Sequence, residues 1–181
     1  VRPLGLRSTT LVSPATAGDG VPSGHAGGSV VDASVPSYAT AWASGSLVST
    51  ADDLVRFWHA VLSGALLPTD AVRTSFEGAY PMQPQFPAPP GTSLFYGRGA
   101  QITAAPSGKE GPGLLLEHSG GITGFNAIMA YAAEDGVFIS VMTNDEQVPA
   151  AAGLWRVLQV VRDHRDMHGR AEAQNLGMER H

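Results

Sequence analysis

The sequence of 181 residues predicts an α+β fold in which helices flank an antiparallel sheet. Three observations lead to this prediction. Four apolar, strand-like runs follow one another in the second half of the chain. The links between them are short, whereas parallel neighbours need a crossover of a dozen or more residues. An amphipathic helical pattern precedes these runs and another follows them, which supplies cover for both faces of a sheet.

The four predicted strands span residues 95–103, 113–119, 125–131 and 137–143. The last two are joined by a short link that contains Asp135-Gly136, a strong signal for a β-hairpin. The run 137–143 is apolar at successive positions, so both of its faces need cover. The sheet is therefore expected to lie between two layers of helix.

Three helices are expected around these strands. The first spans residues 49–63, with Ser49 or Thr50 as its cap and an aspartate three residues further on. Its apolar positions recur at helical spacing (Leu54, Phe57, Trp58, Val61, Leu62). A shorter helix begins near Thr69. A longer one covers residues 149–166 and presents a second apolar stripe (Ala151, Leu154, Trp155, Leu158, Val161).

The remaining segments are predicted to be irregular. Residues 11–48 are rich in small residues and predict a long irregular segment with short strands at best. Their aromatic and valine side chains argue against a free linker. Residues 80–91 hold five prolines and are predicted to be surface loop. Residues 1–166 are expected to belong to a single domain, of which they form the C-terminal portion, and residues 167–181 are expected to form a polar, frayed tail.

Composition excludes several classes of function. The net charge is −5 and no basic cluster could follow a phosphate backbone, so nucleic acid is not an expected partner. No run of 18 apolar residues is present, so no membrane span is predicted. Without cysteine, disulfides and thiolate metal sites are excluded. His164 and His168 lack a third ligand and are interpreted as charged groups at a helix C-terminus, so no metal or cofactor is expected.

One segment has the character of a reactive site. His118 and Ser119 lie side by side at the end of a predicted strand, and Gly120 and Gly121 follow. Paired glycines let a substrate approach the backbone closely while amide N–H groups remain able to bind an oxyanion. The alternative interpretation is an ordinary glycine-rich turn beside a solvent-exposed histidine.

Several blocks of sequence occur in an order that supports the first interpretation. They are residues 3–9 (PLGLRST), 44–57 (SGSLVSTADDLVRF), 96–99 (YGRG), 118–121 (HSGG) and 143–144 (TN). Together they resemble the superfamily of serine β-lactamases and DD-peptidases over residues 1–162. The nearest branch is similar to the secreted D-alanyl-D-alanine carboxypeptidases, with class C β-lactamases and esterases close by. The resemblance implies a β-lactamase/transpeptidase-like fold and a secreted or periplasmic location, although no signal peptide is visible.

The resemblance also implies roles for four residues. His118 would stand where the family has Lys or His, and Ser119 where a hydroxyl binds the carboxylate or carbonyl of the substrate. Gly120 would stand where a side chain would block entry, and the amide of Gly121 would be one of two oxyanion donors. The implied reaction passes through an acyl-serine, and its substrate is a D-Ala-D-Ala-like peptide, a β-lactam or an ester.

The sequence departs from the family pattern in two motifs. Its single lysine, Lys109, follows Pro106 by three positions, so Ser-x-x-Lys is absent, and neither Tyr-x-Asn nor Ser-x-Asn occurs. The chain is therefore predicted to be an incomplete C-terminal half. Four of about five strands of the intact domain would lie here, and the half would be inactive without a companion N-terminal chain. A non-catalytic pseudoenzyme or peptide-binding module is the alternative.

A third departure concerns specificity. The carboxypeptidase branch tends to carry an arginine shortly after the Tyr-Gly-x-Gly block, where it can pair with a substrate carboxylate. Here the corresponding neighbourhood contains Gln101. Arg98 is predicted to lie on the opposite face of the same strand and is therefore a poor substitute.

Overall fold

A computed structural model describes residues 2–12, 20–31, 41–83, 88 and 90–178. A short 3-10 helix, Arg2–Leu4, comes first. The strands in chain order are β1 Thr10–Leu11, β2 Gly24–Ala26, β3 Ser29–Val31, β4 Leu47–Val48, β5 Tyr80–Met82, β6 Ser93–Tyr96, β7 Gln101–Ala104, β8 Leu114–Ile122, β9 Phe125–Ala132 and β10 Val137–Thr143. The helices are α1 Trp42–Gly45, α2 Ala51–Leu62, α3 Thr69–Phe76 and α4 Ala150–Met178.

Six of the strands form one antiparallel sheet in the order β10-β9-β8-β7-β6-β5. The predicted fold class is confirmed, but the sheet has six strands where four were expected. The hairpin predicted at Asp135-Gly136 is confirmed, because β9 and β10 pair from Val137 opposite Ala132. Gly136 makes this turn possible with a φ of +64°, a conformation that costs glycine little.

The prediction of a single strand over residues 95–103 is wrong. The chain turns between β6 and β7, where the Gly97 N–H donates to the Ala100 carbonyl at 2.8 Å and Gly99 has a φ of +75°. Arg98 therefore lies in a turn and not on the opposite face of a strand. Gly97 also passes so close to α3 that a Cβ there would be 2.1 Å from the Ser75 carbonyl oxygen.

The prediction that residues 80–91 are loop throughout is also wrong, because β5 opens this segment and pairs with β6. Pro81 is tolerated there because β5 is an edge strand, where a missing N–H removes no ladder bond on the open side. Residues 84–87 and 89 lie outside the described residues.

Helix α2 covers one face of the sheet over β9 and β10. The predicted cap is confirmed: Thr50 precedes the helix and its Oγ1 accepts from the Asp53 N–H at 3.3 Å. Trp58 is buried, and its Nε1 donates to the Leu116 carbonyl in β8 at 2.8 Å. Asp53 is also buried, and its Oδ2 accepts from the Ser8 N–H and the Thr9 hydroxyl, each at 2.8 Å. The two blocks 3–9 and 44–57 are thus joined in space.

Helix α4 packs on β9 and β10. Leu154 and Leu158 are the most completely buried large side chains of the described chain, in a core with Ile128 and Ile139. The helix continues to Met178, past residue 166 where it was predicted to end. The extension 167–178 includes residues of high helix propensity (two Ala, with one Arg, one Glu and one Gln), although it also holds two glycines.

In the described part of the segment 11–48, the elements before α2 are short, which agrees with the prediction for these residues. β1 pairs with β4, and β2 with β3, in two small antiparallel ribbons. Residues 13–19 and 32–40 lie outside the described residues. Among the helices that the structure describes, none has the length and apolar character needed to cross a bilayer.

Candidate active site

Strand β8 extends beyond its neighbour β7 and so leaves part of its edge open. The pairing with β7 ends at Gln101 opposite Glu117, whereas the pairing with β9 continues to Ile122 opposite Phe125. Residues 118–122 therefore have a strand partner on one side only within the described part of the chain. Ser119, Gly120 and Gly121 are exposed, and His118 is half-buried. The four residues singled out in the sequence lie together on this open stretch of strand.

Ser119 is held at the start of the open stretch by a side chain. Its backbone N–H and its hydroxyl both lie 3.0 Å from Gln101 Oε1. The N–H of Ser119 thus points toward the β7 side, away from β9. Because amide directions alternate along a strand, the N–H of Gly121 points to the same side, into the opening. This direction is the one needed to donate to an oxyanion placed beside the strand.

The two glycines have different surroundings. A Cβ built at Gly120 meets no atom within 4 Å, so this position borders open space. A Cβ built at Gly121 would lie 2.8 Å from Asn126 Oδ1. Asn126 is buried, and its Nδ2 donates to the carbonyls of Asp145, Glu146 and Val148 at 3.1–3.2 Å. Gly121 therefore leaves room for the side chain that fixes the link between β10 and α4.

The His118 imidazole points to the opposite face of β8 from the Ser119 hydroxyl, because side chains alternate along a strand. Its Nε2 lies 3.2 Å from the Tyr96 hydroxyl, and the two rings meet edge to face. Partial burial lowers the pKa of His118, and a hydrogen bond with the Ser119 backbone opposes this shift. The geometry therefore favours a neutral imidazole near pH 7, in contrast to the lysine that it would replace.

A cavity of about 310 Å³ lies beside Ser119, between the sheet and the first turns of α4. Its lining is mostly apolar, with Gln101, Thr103, Glu117 and Ser119 as polar members. Glu117 is only 5% exposed and accepts a hydrogen bond from the Thr103 hydroxyl. Burial raises the pKa of its carboxyl, and the bond from Thr103 opposes this.

Three residues of this region were not identified as site residues from the sequence: Tyr96, Gln101 and Glu117. Tyr96 and Gln101 fall in the run that was interpreted as a single strand, so their position relative to β8 could not be derived. Glu117 precedes His118 directly, and strand alternation places it on the face of Ser119. The signal that could have identified Glu117 is its charge within an otherwise apolar run, since charged side chains are rarely buried without a purpose.

His164 and His168 of α4 were interpreted from the sequence as charged groups and not as metal ligands. Over the described ranges, no three His, Asp or Glu side chains come close enough together to hold an ion. His164 and His168 stack at 4.0 Å on the exposed side of α4. The expected location at a helix C-terminus is wrong, because α4 continues well beyond both residues.

The sheet with helices on both faces and the open β8 edge define the β-lactamase/transpeptidase-like fold. A family model described as Beta-lactamase matches residues 1–162. The chain therefore belongs to the β-lactamase family, whose superfamily consists of serine hydrolases, and the resemblance stated from the sequence is confirmed.

Solved structures give the same result for the fold. The chain is similar to a D-stereospecific amidohydrolase from Streptomyces sp., with a TM-score of 0.60 and 24% identity over 80% of this chain and 41% of that one. It is also similar to a D-amino acid amidase from Ochrobactrum anthropi SV3 complexed with L-phenylalanine amide, with a TM-score of 0.59 and 26% identity over 80% and 41% of the two chains.

The same amidase complexed with L-phenylalanine gives a TM-score of 0.62 at 22% identity, over 92% of this chain and 51% of that one. The chain thus spans about half, or less, of the length of these relatives. The comparison with curated proteins gives no match.

Proposed function

We propose that this chain supplies one wall of an acyl-transfer site that hydrolyses an amide, peptide, ester or lactam bond through an acyl-serine. The observation that carries the proposal is the open stretch of β8, where the Ser119 hydroxyl and the Gly121 N–H border one opening and the His118 imidazole lies on the opposite face of the strand. The amidases among the structural relatives support the reaction class, because their names state hydrolysis of amide bonds.

In the proposed reaction, the Gly121 N–H donates to the carbonyl oxygen of the substrate as that oxygen gains negative charge. A donor of this kind contributes about 3 kcal/mol to lowering the barrier. The Ser119 hydroxyl, fixed by Gln101, binds the polar group next to the scissile bond. The neutral His118 imidazole, held by Tyr96, lines the other face of the strand and can accept or donate a proton at Nε2.

The nucleophile belongs, in this proposal, to a segment that carries Ser-x-x-Lys and Tyr-x-Asn, either upstream in a longer protein or on a companion chain. Support comes from the sequence, which lacks both motifs, and from relatives about twice as long. Strand β10 also supports a missing segment. Helices α2 and α4 pack on it, yet among the described strands it pairs only with β9. An edge of that kind is open to another strand.

The test is intact-mass spectrometry after incubation with a reactive β-lactam. The chain alone is expected to give no adduct. Joined to the segment that carries Ser-x-x-Lys, it is expected to produce one covalent adduct on the serine of that segment. Ser119→Ala should slow this acylation, whereas Ser93→Ala, at an exposed position of β6, should leave it unchanged. If no adduct forms under any reconstitution, the non-catalytic peptide-binding alternative is favoured.

A further inference from the structure

Gln101 occupies an unusual place for a glutamine side chain. It begins β7, is 7% exposed, and extends past the end of the β7 pairing to reach Ser119. There its Oε1 replaces a backbone carbonyl of β7 as the acceptor for the Ser119 N–H, at 3.0 Å. It also accepts from the Ser119 hydroxyl at 3.0 Å. The orientation of the Ser119 side chain in the opening is therefore fixed by an uncharged amide.

The electrostatic surroundings of Ser119 on this face are acidic or neutral. Glu117 lies directly opposite Gln101 in the β7–β8 register and shares the face of Ser119. No positively charged side chain is among the described residues that line the cavity beside Ser119. Arg98, three residues before Gln101, is exposed in the β6–β7 turn and is not part of this lining.

A ligand carboxylate placed here would lose water without gaining a cation, and it would approach a buried carboxyl group. Both effects oppose its binding. A carboxamide or an ester carries the same carbonyl but no charge, so neither cost applies. The Nε2 group of Gln101 can donate to such a carbonyl as a neutral partner.

We propose that Gln101 is a specificity-determining residue: it makes the Ser119 side of the opening accept ligands with an uncharged terminal group and disfavour those with a terminal carboxylate. This inference rests on the proposed function, which places the substrate beside Ser119 and the Gly121 N–H. It adds the chemical class of the substrate, a carboxamide or ester in preference to a free acid. Glu117 contributes to the same selection through its carboxyl group.

The experiment compares D-alanyl-D-alaninamide with D-alanyl-D-alanine, two ligands that differ only at the terminal group. Each is titrated into the ¹⁵N-labelled chain while the Ser119 amide signal is followed by NMR. The amide is expected to bind at least about tenfold more tightly than the acid, because an unpaired charge costs more than a neutral group. Gln101→Arg should reverse the order by supplying a partner for the carboxylate.

The control is Gln159→Arg, which adds the same charge at an exposed position of α4 and should leave the ratio of the two dissociation constants unchanged. Because arginine must fit at a buried position, Glu117→Gln provides a second variant that keeps the size of the side chain. This variant should bring the dissociation constants of the amide and the acid closer together. Equal or tighter binding of the acid by the unaltered chain overturns the inference, and so does an unchanged ratio in both Gln101→Arg and Glu117→Gln.

Failure of both ligands to shift the Ser119 signal at about 10 mM also overturns it. These outcomes are separate from the test of acyl transfer, because binding by this chain requires no nucleophile. A missing covalent adduct would count against the proposed reaction while leaving the measured preference for the amide intact.

Discussion

The adjacent glycines of the candidate site allow a matched test of the local geometry. Gly121→Ala places a Cβ 2.8 Å from Asn126 Oδ1, which is closer than ordinary van der Waals contact. Asn126 cannot move away freely, since its Nδ2 holds three carbonyl groups of the link between β10 and α4. Overpacking of this kind costs about 1–3 kcal/mol, so Gly121→Ala should lower the free energy of unfolding by that amount.

Gly120→Ala is the control, because its Cβ would meet nothing within 4 Å. Replacing glycine by alanine inside a strand removes backbone freedom from the unfolded chain, so this variant should gain about 0.5–1 kcal/mol. The two free energies should therefore differ by about 1.5–4 kcal/mol in urea unfolding with an unchanged m-value. Equal stabilities, or a Gly120→Ala variant that is the less stable of the two, would refute the described environment of Gly121.

Three further predictions concern charged and titratable groups. Arg162→Met should cost about 3–5 kcal/mol in urea unfolding, because Arg162 pairs at 2.6 Å with Asp135, whose side chain is 10% exposed, and binds three loop carbonyls. Arg165→Met, which loses one exposed hydrogen bond, should cost less than about 1 kcal/mol. Burial raises the folded-state pKa of Glu117, so the free energy of unfolding should fall as the pH rises from about 4.3 toward that pKa. Glu117→Gln removes the charge, and it should therefore stabilise the chain more at about pH 8 than at about pH 4. Burial lowers the pKa of His118, so the midpoint of its NMR titration should lie below about 6.5. The stability that the neutral imidazole contributes should be lost as the pH falls through the folded-state pKa. A midpoint above about 6.5 would contradict the burial of the ring.

The sequence was sufficient to predict the elements whose own pattern is strong. The cap at Thr50, the apolar stripe of α4 and the Asp135-Gly136 hairpin each depend on residues that are close together in the chain. Local propensity and hydrophobic spacing therefore determine them. The His-Ser-Gly-Gly segment was expected at the end of a strand that stops at residue 119, but it lies inside β8, which continues to Ile122 through its pairing with β9.

The features of the site that the sequence does not predict depend on pairing between segments that are distant in the chain. Tyr96 and Gln101 lie on separate strands because Gly97 and Gly99 permit a tight turn that the apolar periodicity does not reveal. The early end of β7 leaves β8 open beyond Glu117, and this open edge is set by register and not by composition. The contact of Gln101 with Ser119 spans 18 residues and follows from that register.

In the proposed site, the Gly121 N–H points into the opening where the substrate carbonyl would bind. The most direct measurement is the amide ¹H and ¹⁵N shift of Gly121, recorded before and after acylation of the reconstituted protein by a β-lactam. A new hydrogen bond to the acyl oxygen should move this proton signal downfield, while the Gly136 amide in the distant hairpin stays in place. An unchanged Gly121 signal in a protein shown by mass to be fully acylated would contradict the account.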